Sequence, residues 1–237
     1  MQLKGYVTGA DRGLGLALTE TLLKNDYIVY AGRYMEDWKE LDELKEEYGD
    51  WLNIIPLDVS SKKSVEEAAS KIKSATSSLD LLINNAGIYQ DRSGNIFEDL
   101  YYDDMIKMYE VNTLGPLKVT RSVVDLLVEG RQKMLVNISS EAGSVGDCWR
   151  KEEFGYCMSK AALNKQSAIL QNHLGDYGIK VLAIHPGYLK SYMSGEKNYD
   201  ADIEPEESAE NIFKLLNSKT EIDAPMYYDY LGNQFPW

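Results

Sequence analysis

Short apolar runs alternate with longer amphipathic segments along most of the chain. The runs are L-K-G-Y-V-T, Y-I-V-Y-A, W-L-N-I-I-P-L, L-D-L-L-I-N, K-M-L-V-N-I-S and I-K-V-L-A-I-H. They are nearly unbroken in apolar residues, which is typical of strands buried on both faces of a parallel sheet. The segments between them, such as L-A-L-T-E-T-L-L-K and S-V-E-E-A-A-S-K-I, have helical periodicity. This alternation predicts right-handed βαβ crossovers and an α/β fold with a doubly wound, mostly parallel sheet and helices on both faces.

The alternation continues without a linker, an internal repeat or a low-complexity tract, which predicts a single domain over residues 1–237. The stretch around 189–204 departs from it, because it is polar and rich in turn residues. That stretch is either a solvated loop or a lid over a site. Its position beside the motifs described below favours the lid.

The charge of the chain narrows the classes of partner. Lys and Arg number 25 against 38 Asp and Glu, which gives a net charge of -13 and disfavours binding to nucleic acid or an anionic membrane. No apolar stretch approaches the roughly 18 residues of a membrane span, and no signal-peptide pattern follows Met1, so we expect a cytoplasmic protein. The 2 cysteines and 2 histidines have neither disulfide nor metal-site spacing, and we expect no bound metal.

The first strand runs directly into T-G-A-D-R-G-L-G, and a helix follows. Glycines in such a turn let the backbone approach a pyrophosphate, which the N-terminus of the next helix then binds. A glycine-rich turn alone is weak evidence, but the strand before it and the helix after it predict a dinucleotide site in a Rossmann fold. The residues predicted to form this part of the site are Gly9, Arg12, Gly13, Leu14 and Gly15.

The second strand ends in Arg33, and the next carboxylate along the chain is Glu36. NAD sites commonly have an acidic residue here that accepts hydrogen bonds from the ribose hydroxyls, whereas a guanidinium can bind the 2′-phosphate of NADP. Arg12 adds a second positive charge inside the glycine turn. The sequence therefore favours NADP (NADPH) over NAD, although either arginine alone can also be a solvated surface charge.

Y-C-M-S-K at 156–160 places Tyr156 and Lys160 one helical turn apart on one face. A free tyrosine has a pKa near 10, and a lysine about 5 Å away favours the phenolate by roughly 3 kcal/mol, which corresponds to about 2 pKa units. That effect is large enough to make the phenol a general acid at neutral pH. Because this spacing also recurs by chance on helix surfaces, the pair needs support from other motifs.

Those motifs are N-N-A-G at 84–87, N-I-S-S at 137–140 and H-P-G-Y at 185–188. With the glycine turn and Y-C-M-S-K, in this order and at nearly the usual intervals, the chain resembles the short-chain dehydrogenase/reductase family from end to end. P-E-E-S-A-E at 205–210 and the ending Y-L-G-N-Q-F-P-W are similar to the carbonyl-reductase branch that includes the C-factor and sniffer proteins.

The resemblance implies roles for particular residues. Tyr156 exchanges a proton with the substrate oxygen, Lys160 lowers the tyrosine pKa and holds the nicotinamide ribose, and Ser140, rather than Ser139, hydrogen-bonds the substrate oxygen. Asn112 in V-N-T-L-G anchors a proton-relay water. The resemblance further assigns Asp58 and Val59 to the adenine, Asn85, Ala86 and Gly87 to the adenosine ribose and its surroundings, and Pro186, Gly187 and Leu189 to the nicotinamide. It also implies a homodimer or homotetramer, with helices near 112–127 and 156–174 at the interface.

Two features depart from the family pattern. The interval from Ser140 to Tyr156 is longer than usual, which predicts a reshaped substrate mouth, and Ser191 replaces a threonine that usually contacts the carboxamide. His185 is expected to be a strand-end residue, and Cys157 an inert thiol. We expect an apolar, partly aromatic pocket for a neutral carbonyl compound or secondary alcohol. No arginine stands out to bind a substrate carboxylate, although Arg150 can reach into the pocket. The predicted lining residues are Ile88, Tyr89, Cys148, Trp149, Tyr188, Tyr192 and Met193.

Three functions remain in competition at this point. The first is an NADP-dependent oxidoreductase that moves a hydride between nicotinamide and a carbonyl or secondary alcohol, with Tyr156 as general acid and base. The second is a nicotinamide-binding redox sensor or signalling protein without significant turnover. The third, an epimerase or dehydratase acting on a nucleotide sugar, is disfavoured by the compact glycine pattern and by the lack of a substantial C-terminal substrate domain.

Overall fold

The computed structural model describes residues 2–90, 92–193, 195–218 and 226–237, within which the strands form one parallel sheet. Along the chain the strands are β1 (Lys4–Thr8), β2 (Ile28–Arg33), β3 (Leu52–Pro56), β4 (Leu81–Asn84), β5 (Met134–Ile138), β6 (Lys180–His185) and β7 (Met226–Asp229). Their spatial order is β3-β2-β1-β4-β5-β6-β7. The chain therefore extends the sheet in one direction from β1 to β3 and in the other from β4 to β7.

Helices cover both faces of this sheet. They are α1 (Gly13–Lys24), α2 (Glu40–Tyr48), α3 (Lys62–Ala75), α4 (Tyr102–Tyr109), α5 (Gly115–Val128), α6 (Phe154–Leu174) and α7 (Pro205–Ser218). One apolar cluster joins the sheet to α1, α2 and α7 through side chains such as Leu22 and Leu41. The other joins it to α3, α5 and α6 through side chains such as Ile72 and Val123. Burial on both faces explains why the strands are nearly unbroken apolar runs.

The predicted α/β fold class is confirmed, and the six predicted strands lie within two residues of those observed. The edge strand β7 was not predicted, because M-Y-Y-D is too short to show a period. Its residue Tyr227 is fully buried, so tertiary packing against β6 defines this strand. The single domain over 1–237 stays a prediction. Among the described residues, no helix combines the length and the apolar character that crossing a bilayer requires.

Because all the strands are parallel, their carboxyl ends meet at one edge of the sheet. The strand order reverses between β1 and β4, which pair directly. In doubly wound folds such a reversal opens a crevice at the carboxyl edge, where ligands bind. The loops that follow β1, β4, β5 and β6 meet around this crevice, and they carry most of the residues predicted for the site.

Candidate active site

The turn after β1 brings three glycines against the start of α1. Gly9 and Gly13 have φ angles of 63° and 54°, in the left-handed region where a side chain is costly. A Cβ on Gly15 would lie 1.9 Å from the Gly9 carbonyl oxygen. The N-terminus of α1, which includes Leu14, has no side-chain cap hydrogen bond. Its first N–H groups are therefore suited to an anion such as a pyrophosphate.

Thr8 and Asn85 tie the loop after β4 to this turn. The Thr8 hydroxyl accepts hydrogen bonds from the backbone N–H of Asn85 at 3.0 Å and of Ala86 at 3.1 Å. Asn85 Nδ2 donates to the carbonyl of Gly9 at 3.0 Å. The structure thus brings the N-N-A-G motif to the glycine turn. Thr8 was not predicted as a site residue, although a threonine that ends the strand before the glycine turn is a usable signal.

Asp58 and Val59 follow β3 at the same edge of the sheet. Asp58 Oδ1 accepts hydrogen bonds from the backbone N–H of Ser60 at 2.8 Å and from its hydroxyl at 2.7 Å. Val59 packs against α5, where a Cβ on Gly115 would lie 2.9 Å from Val59 Cγ2. This loop is therefore held on the β1–β3 side of the crevice.

The two arginines predicted to bind a 2′-phosphate both have protein partners. Arg33 Nη1 lies 2.8 Å from Asp42 Oδ1 in a partly exposed ion pair. The Arg12 guanidinium carbon lies 4.8 Å from the ring centroid of Trp38 and 5.8 Å from that of Tyr192. Arg12 Nη2 also donates to the Tyr192 carbonyl at 3.1 Å. Arg12 thus links the glycine turn to the predicted lid, a contact that the sequence did not indicate.

A π-helical turn over Glu110–Leu114 joins α4 to α5 and contains Asn112. The Asn112 side chain is buried; Oδ1 accepts from the N–H of Ile88 at 2.8 Å, and Nδ2 donates to the Ile88 carbonyl at 2.9 Å. Nδ2 also donates to the hydroxyl of Ser159 on α6 at 3.1 Å. Asn112 therefore connects the loop after β4 to the helix that carries Tyr156 and Lys160. Such π-bulges are frequent at functional sites.

The two serines after β5 have different surroundings. Ser139 Oγ donates to Asn164 Oδ1 at 2.6 Å and is buried. Ser140 Oγ accepts from the N–H of Ala142 at 3.2 Å and hydrogen-bonds the Tyr156 side chain. The Ser140 carbonyl accepts a hydrogen bond from the hydroxyl of Tyr227 on β7. The contact with Tyr156 supports the choice of Ser140 over Ser139 as the residue that faces a substrate.

Tyr156 and Lys160 lie in the first two turns of α6, as their spacing predicted. Lys160 Nζ is 5.8 Å from the Tyr156 ring centroid and donates to the Ile138 carbonyl at 2.9 Å. The Tyr156 ring packs edge-to-face on Tyr89, with centroids 5.2 Å apart. The structure therefore brings Ser140, Tyr156 and Lys160 together at the carboxyl end of β5.

The predicted direction of the Tyr156 pKa is wrong in this structure. Burial raises the pKa of Tyr156 to about 12, although the hydrogen bond with Ser140 opposes the rise. Burial also lowers the pKa of Lys160 to about 8. Burial of the phenol is the largest influence on the Tyr156 pKa, and the Lys160 ammonium group donates a hydrogen bond to the Ile138 carbonyl. At neutral pH Tyr156 is protonated, as the donor of a proton must be.

The turn after β6 begins with Pro186, whose carbonyl accepts a hydrogen bond from the Ser208 hydroxyl on α7 at 2.7 Å. Gly187 has a φ of 88°, and a Cβ there would lie 2.5 Å from Ile203 Cδ1. Leu189 pairs with Ile203 in an isolated parallel bridge. The two ends of the 189–204 segment are therefore joined, and the chain between them forms a loop beside the crevice.

This loop contacts both motifs that border the crevice at β1 and β4. Ser191 Cβ would lie 3.8 Å from a Cβ on Gly13, and Met193 Cε would lie 3.3 Å from a Cβ on Gly87. Ser194, within the same loop, lies outside the described residues. The contacts place the segment where a lid must be, while its role as a lid stays a prediction.

The predicted lining residues differ in their surroundings. Tyr89 packs on Tyr156, and Trp149 and Tyr188 are exposed. Tyr192 instead packs edge-to-face on Trp38, with ring centroids 4.7 Å apart, on the side of the glycine turn. Burial raises the pKa of the Cys157 thiol to about 11, in keeping with an inert thiol.

His185 is the last residue of β6, as predicted, and its Nδ1 accepts a hydrogen bond from the N–H of Glu141 at 3.1 Å. The Arg150 guanidinium is bound by carboxylates of the protein itself. It binds both carboxylate oxygens of Glu141, at 2.5 and 2.6 Å, and Glu153 Oε2 at 2.6 Å. The sequence indicated Arg150 as an arginine that can reach into the pocket, but it did not reveal these two internal partners.

Comparison with known proteins identifies the family. A model of the short chain dehydrogenases matches residues 5–202. An uncharacterised oxidoreductase of Schizosaccharomyces pombe is 30% identical over 248 residues, which cover 98% of this chain and 97% of the relative. The C-signal protein of Myxococcus xanthus is 30% identical over 164 residues, which cover 68% of this chain and 95% of that protein. An NADPH-bound carbonyl reductase from chicken fatty liver superimposes over 100% of both chains with a TM-score of 0.88 and 30% identity.

The chain belongs to the short-chain dehydrogenase/reductase family. It is an oxidoreductase of this family and is similar to carbonyl reductases. The resemblance inferred from the five motifs is thereby confirmed. Members of the family act on small molecules with a nicotinamide cofactor, and the residues around the crevice fit such a cofactor. This fit rests on two features. A Cβ on Gly15 would clash with the Gly9 carbonyl oxygen, and the N-terminus of α1 has no side-chain cap hydrogen bond.

Proposed function

We propose that the protein is an NADP-dependent oxidoreductase that interconverts a carbonyl compound and a secondary alcohol. The observation that supports this proposal most strongly is the contact of Ser140 with Tyr156, next to Lys160, at the carboxyl end of β5. A bound nicotinamide supplies or accepts the hydride. The chain's own residues then have to bind the substrate oxygen, orient it and move one proton.

In this proposal Tyr156 donates its phenolic proton to the carbonyl oxygen during reduction and accepts it back during oxidation. Ser140 donates a hydrogen bond to the same oxygen and orients it. Lys160 holds the nicotinamide ribose. Asn112 keeps the π-helical turn fixed against α6 and anchors the relay water.

The preference for NADP rests on Arg12 and Arg33 at the carboxyl ends of β1 and β2. The Arg33 ion pair with Asp42 is partly exposed, so a 2′-phosphate can replace this carboxylate at small cost. The remaining cofactor contacts are proposed for the predicted residues of the glycine turn, Asp58, Val59, the N-N-A-G loop and the Pro186 turn. Isothermal calorimetry should give a lower Kd for NADPH than for NADH, and the reverse order would contradict the preference.

The proposed substrate is neutral. Arg150, the arginine that the sequence offered for a substrate carboxylate, already binds Glu141 and Glu153. Aromatic side chains such as Tyr89 border the tyrosine instead. A panel of carbonyl compounds should therefore show turnover of neutral aldehydes or ketones, and turnover restricted to carboxylated or phosphorylated compounds would overturn this assignment.

The similarity to C-signal keeps a second candidate open, a nicotinamide-binding signalling protein without significant turnover. Tyr156→Phe separates the two functions, because it removes one hydroxyl and leaves the ring contact with Tyr89. For an enzyme, NADPH oxidation should fall by about 10³-fold or more while NADPH affinity stays within about twofold. Equal turnover in wild type and variant would remove Tyr156 from the mechanism, and an inactive wild type that binds NADPH would favour the signalling protein.

We further propose a homodimer or homotetramer built through α5 and α6. These helices expose apolar side chains, among them Leu117, Met158 and Ile169. Sedimentation velocity tests the assembly, and a monomer at micromolar concentration would contradict it. The cytoplasmic location stays a prediction.

A further inference from the structure

The loop that lengthens the interval between Ser140 and Tyr156 carries Arg150, which lies between two carboxylates. The side chain is 16% exposed, and three of its nitrogen atoms donate to carboxylate oxygens at 2.5 to 2.6 Å. A guanidinium binds a carboxylate in this bidentate geometry, which lysine cannot reproduce. Arg150 is therefore fixed in one orientation by both partners.

Glu141, the first partner, directly follows Ser140. It begins a short 3-10 turn over Glu141–Gly143, and its N–H donates to His185 Nδ1. Ser140 Oγ accepts a hydrogen bond from the N–H of Ala142, and the Ser140 carbonyl accepts one from the Tyr227 hydroxyl. The ion pair between Arg150 and Glu141 therefore fixes the turn that directly follows Ser140.

Glu153, the second partner, directly precedes α6 and has a φ of 64°, in the left-handed region. Its Oε2 binds Arg150, while its Oε1 accepts a hydrogen bond from the Tyr89 hydroxyl at 2.8 Å. The Tyr89 ring in turn packs edge-to-face on Tyr156. A continuous path of contacts thus leads from Glu141 through Arg150, Glu153 and Tyr89 to the ring of Tyr156.

We propose that Arg150 is a positioning residue for proton transfer: with Glu141 and Glu153 it fixes the Ser140 turn relative to the start of α6 and holds Tyr156 through Tyr89. This inference rests on the proposed function, because it needs Tyr156 to carry the proton. It assigns the long loop a task inside the site in addition to shaping the substrate mouth. It also explains why a residue as strained as Glu153 stands at the start of the helix.

The same cluster sets the charge around Tyr156. Glu141 raises the pKa of the phenol and Arg150 lowers it. Among the described residues, the other titratable or charged groups that face the ring or this cluster are Lys160 and Cys157 on α6, Glu153 before it, Tyr89 after β4, His185 at the end of β6 and Tyr227 on β7. Removal of Arg150 and removal of the Glu141 charge should therefore shift the tyrosine in opposite directions.

The test measures kcat and KM for alcohol oxidation from pH 6 to 10 in wild type, Arg150→Met, Arg150→Lys and Glu141→Gln. Oxidation needs the phenolate, and the positive charge of oxidised NADP, when bound, would lower the Tyr156 pKa from its value of about 12 in the protein alone, so kcat rises within this range as Tyr156 loses its proton. We expect the midpoint of this rise to move up in pH in Arg150→Met and down in Glu141→Gln, each by on the order of one pH unit. Arg150→Lys keeps the charge but loses the bidentate geometry. The midpoint of its rise in kcat should therefore stay near that of wild type, while kcat falls about tenfold.

Two further variants separate positioning from general stability. Tyr89→Phe keeps the ring contact but loses the hydrogen bond to Glu153, and kcat should fall several-fold with an unchanged KM for NADP. Lys73→Met removes a surface ion pair of similar length with Asp125, 2.8 Å, and should change neither kcat nor the midpoint. If Arg150→Met does not fold, as judged by circular dichroism, Glu141→Gln and Tyr89→Phe carry the test.

Midpoints that stay unchanged, or that move in the same direction in Arg150→Met and Glu141→Gln, would overturn the inference. A normal kcat in Tyr89→Phe would also contradict it. These outcomes differ from a failure of the proposed function, in which the wild type has no turnover or Tyr156→Phe keeps it. If the wild type is active and depends on Tyr156, but the Arg150, Glu141 and Tyr89 variants behave like the wild type, only the proposed role of Arg150 is rejected.

Discussion

The β4–β6 half and the β1–β3 half of the carboxyl edge hold their functional side chains in different ways. In the first half Asn112, Ser140 and Lys160 are buried, and each has hydrogen bonds inside the protein. In the second half Arg12 and Arg33 are partly exposed; Arg12 donates to the Tyr192 carbonyl, and Arg33 binds the Asp42 carboxylate. A buried polar group is costly to leave unpaired, whereas an exposed ion pair is worth little.

This difference matches the two tasks proposed for the halves. Proton transfer needs atoms fixed to within a fraction of an ångström, and a buried network supplies that precision. Recognition of a cofactor needs side chains that can exchange a protein partner for a phosphate. Substitutions in the first half should therefore reduce kcat, and those in the second half should change cofactor affinity.

The largest expected effect is on the first half. Ser140→Ala removes the hydroxyl next to Tyr156 and should lower kcat by about 10²–10³-fold, or about 3–4 kcal/mol, with NADPH affinity nearly unchanged. Steady-state kinetics and calorimetry measure the two quantities. Ser139→Ala is the matched control, because it loses a buried hydrogen bond to Asn164 and should lower the melting temperature but leave kcat within about threefold. The reverse pattern would make Ser139 the functional serine.

The next effect tests the glycine turn of the second half. A Cβ on Gly15 would lie 1.9 Å from the Gly9 carbonyl oxygen, so Gly15→Ala should destabilise the fold by about 3 kcal/mol and prevent cofactor binding. Gly49→Ala is a control for backbone strain alone, because Gly49 has a φ of 54° with no atom near its notional Cβ. It should cost about 1 kcal/mol and leave binding intact. Denaturant unfolding and calorimetry measure both, and a stable Gly15→Ala that binds NADPH would be inconsistent with this geometry.

The buried lysine of the first half should make stability depend on pH. Burial lowers the Lys160 pKa from 10.5 to about 8, so between these values the unfolded chain binds more protons than the folded protein. Stability should therefore rise with pH, by about 2 kcal/mol from pH 8 to 10. Urea unfolding at pH 8, 9 and 10 should show this rise in wild type and in Lys62→Met, which alters an exposed lysine, but not in Lys160→Met. The same rise in all three proteins would assign it to other groups.

The smallest effect concerns cofactor choice. Arg33→Ala should weaken NADPH about tenfold, about 1.4 kcal/mol, with little change for NADH, because the 2′-phosphate loses its guanidinium. Asp42→Asn frees Arg33 from its ion pair and should strengthen NADPH about threefold. Calorimetry with both cofactors gives the ratio. Weaker NADPH binding in both variants would mean that the ion pair itself, and not the free guanidinium, supports the site.

Some of these features could be predicted from the sequence, and others depend on the folded chain. The six strands β1 to β6 and the places of Ser140, Tyr156 and Lys160 followed from local patterns and ordered motifs. The partners of Arg33 and Arg12 did not, because they depend on how loops distant in sequence meet. The rise in the Tyr156 pKa was not predicted for a similar reason. Burial of the phenol and the hydrogen bond from Lys160 to the Ile138 carbonyl are properties of the folded chain.

The π-helical turn at Glu110–Leu114 sets an evolutionary trade-off. A deletion of one residue there converts the turn into ordinary α-helix, which restores regular hydrogen bonds between α4 and α5. It also turns Asn112 by about 100° away from Ile88. Selection for a more stable helix and selection for chemistry therefore oppose each other at this one turn. A library of single-residue deletions, screened only for folded protein, should enrich chains that are well folded and have lost the reaction.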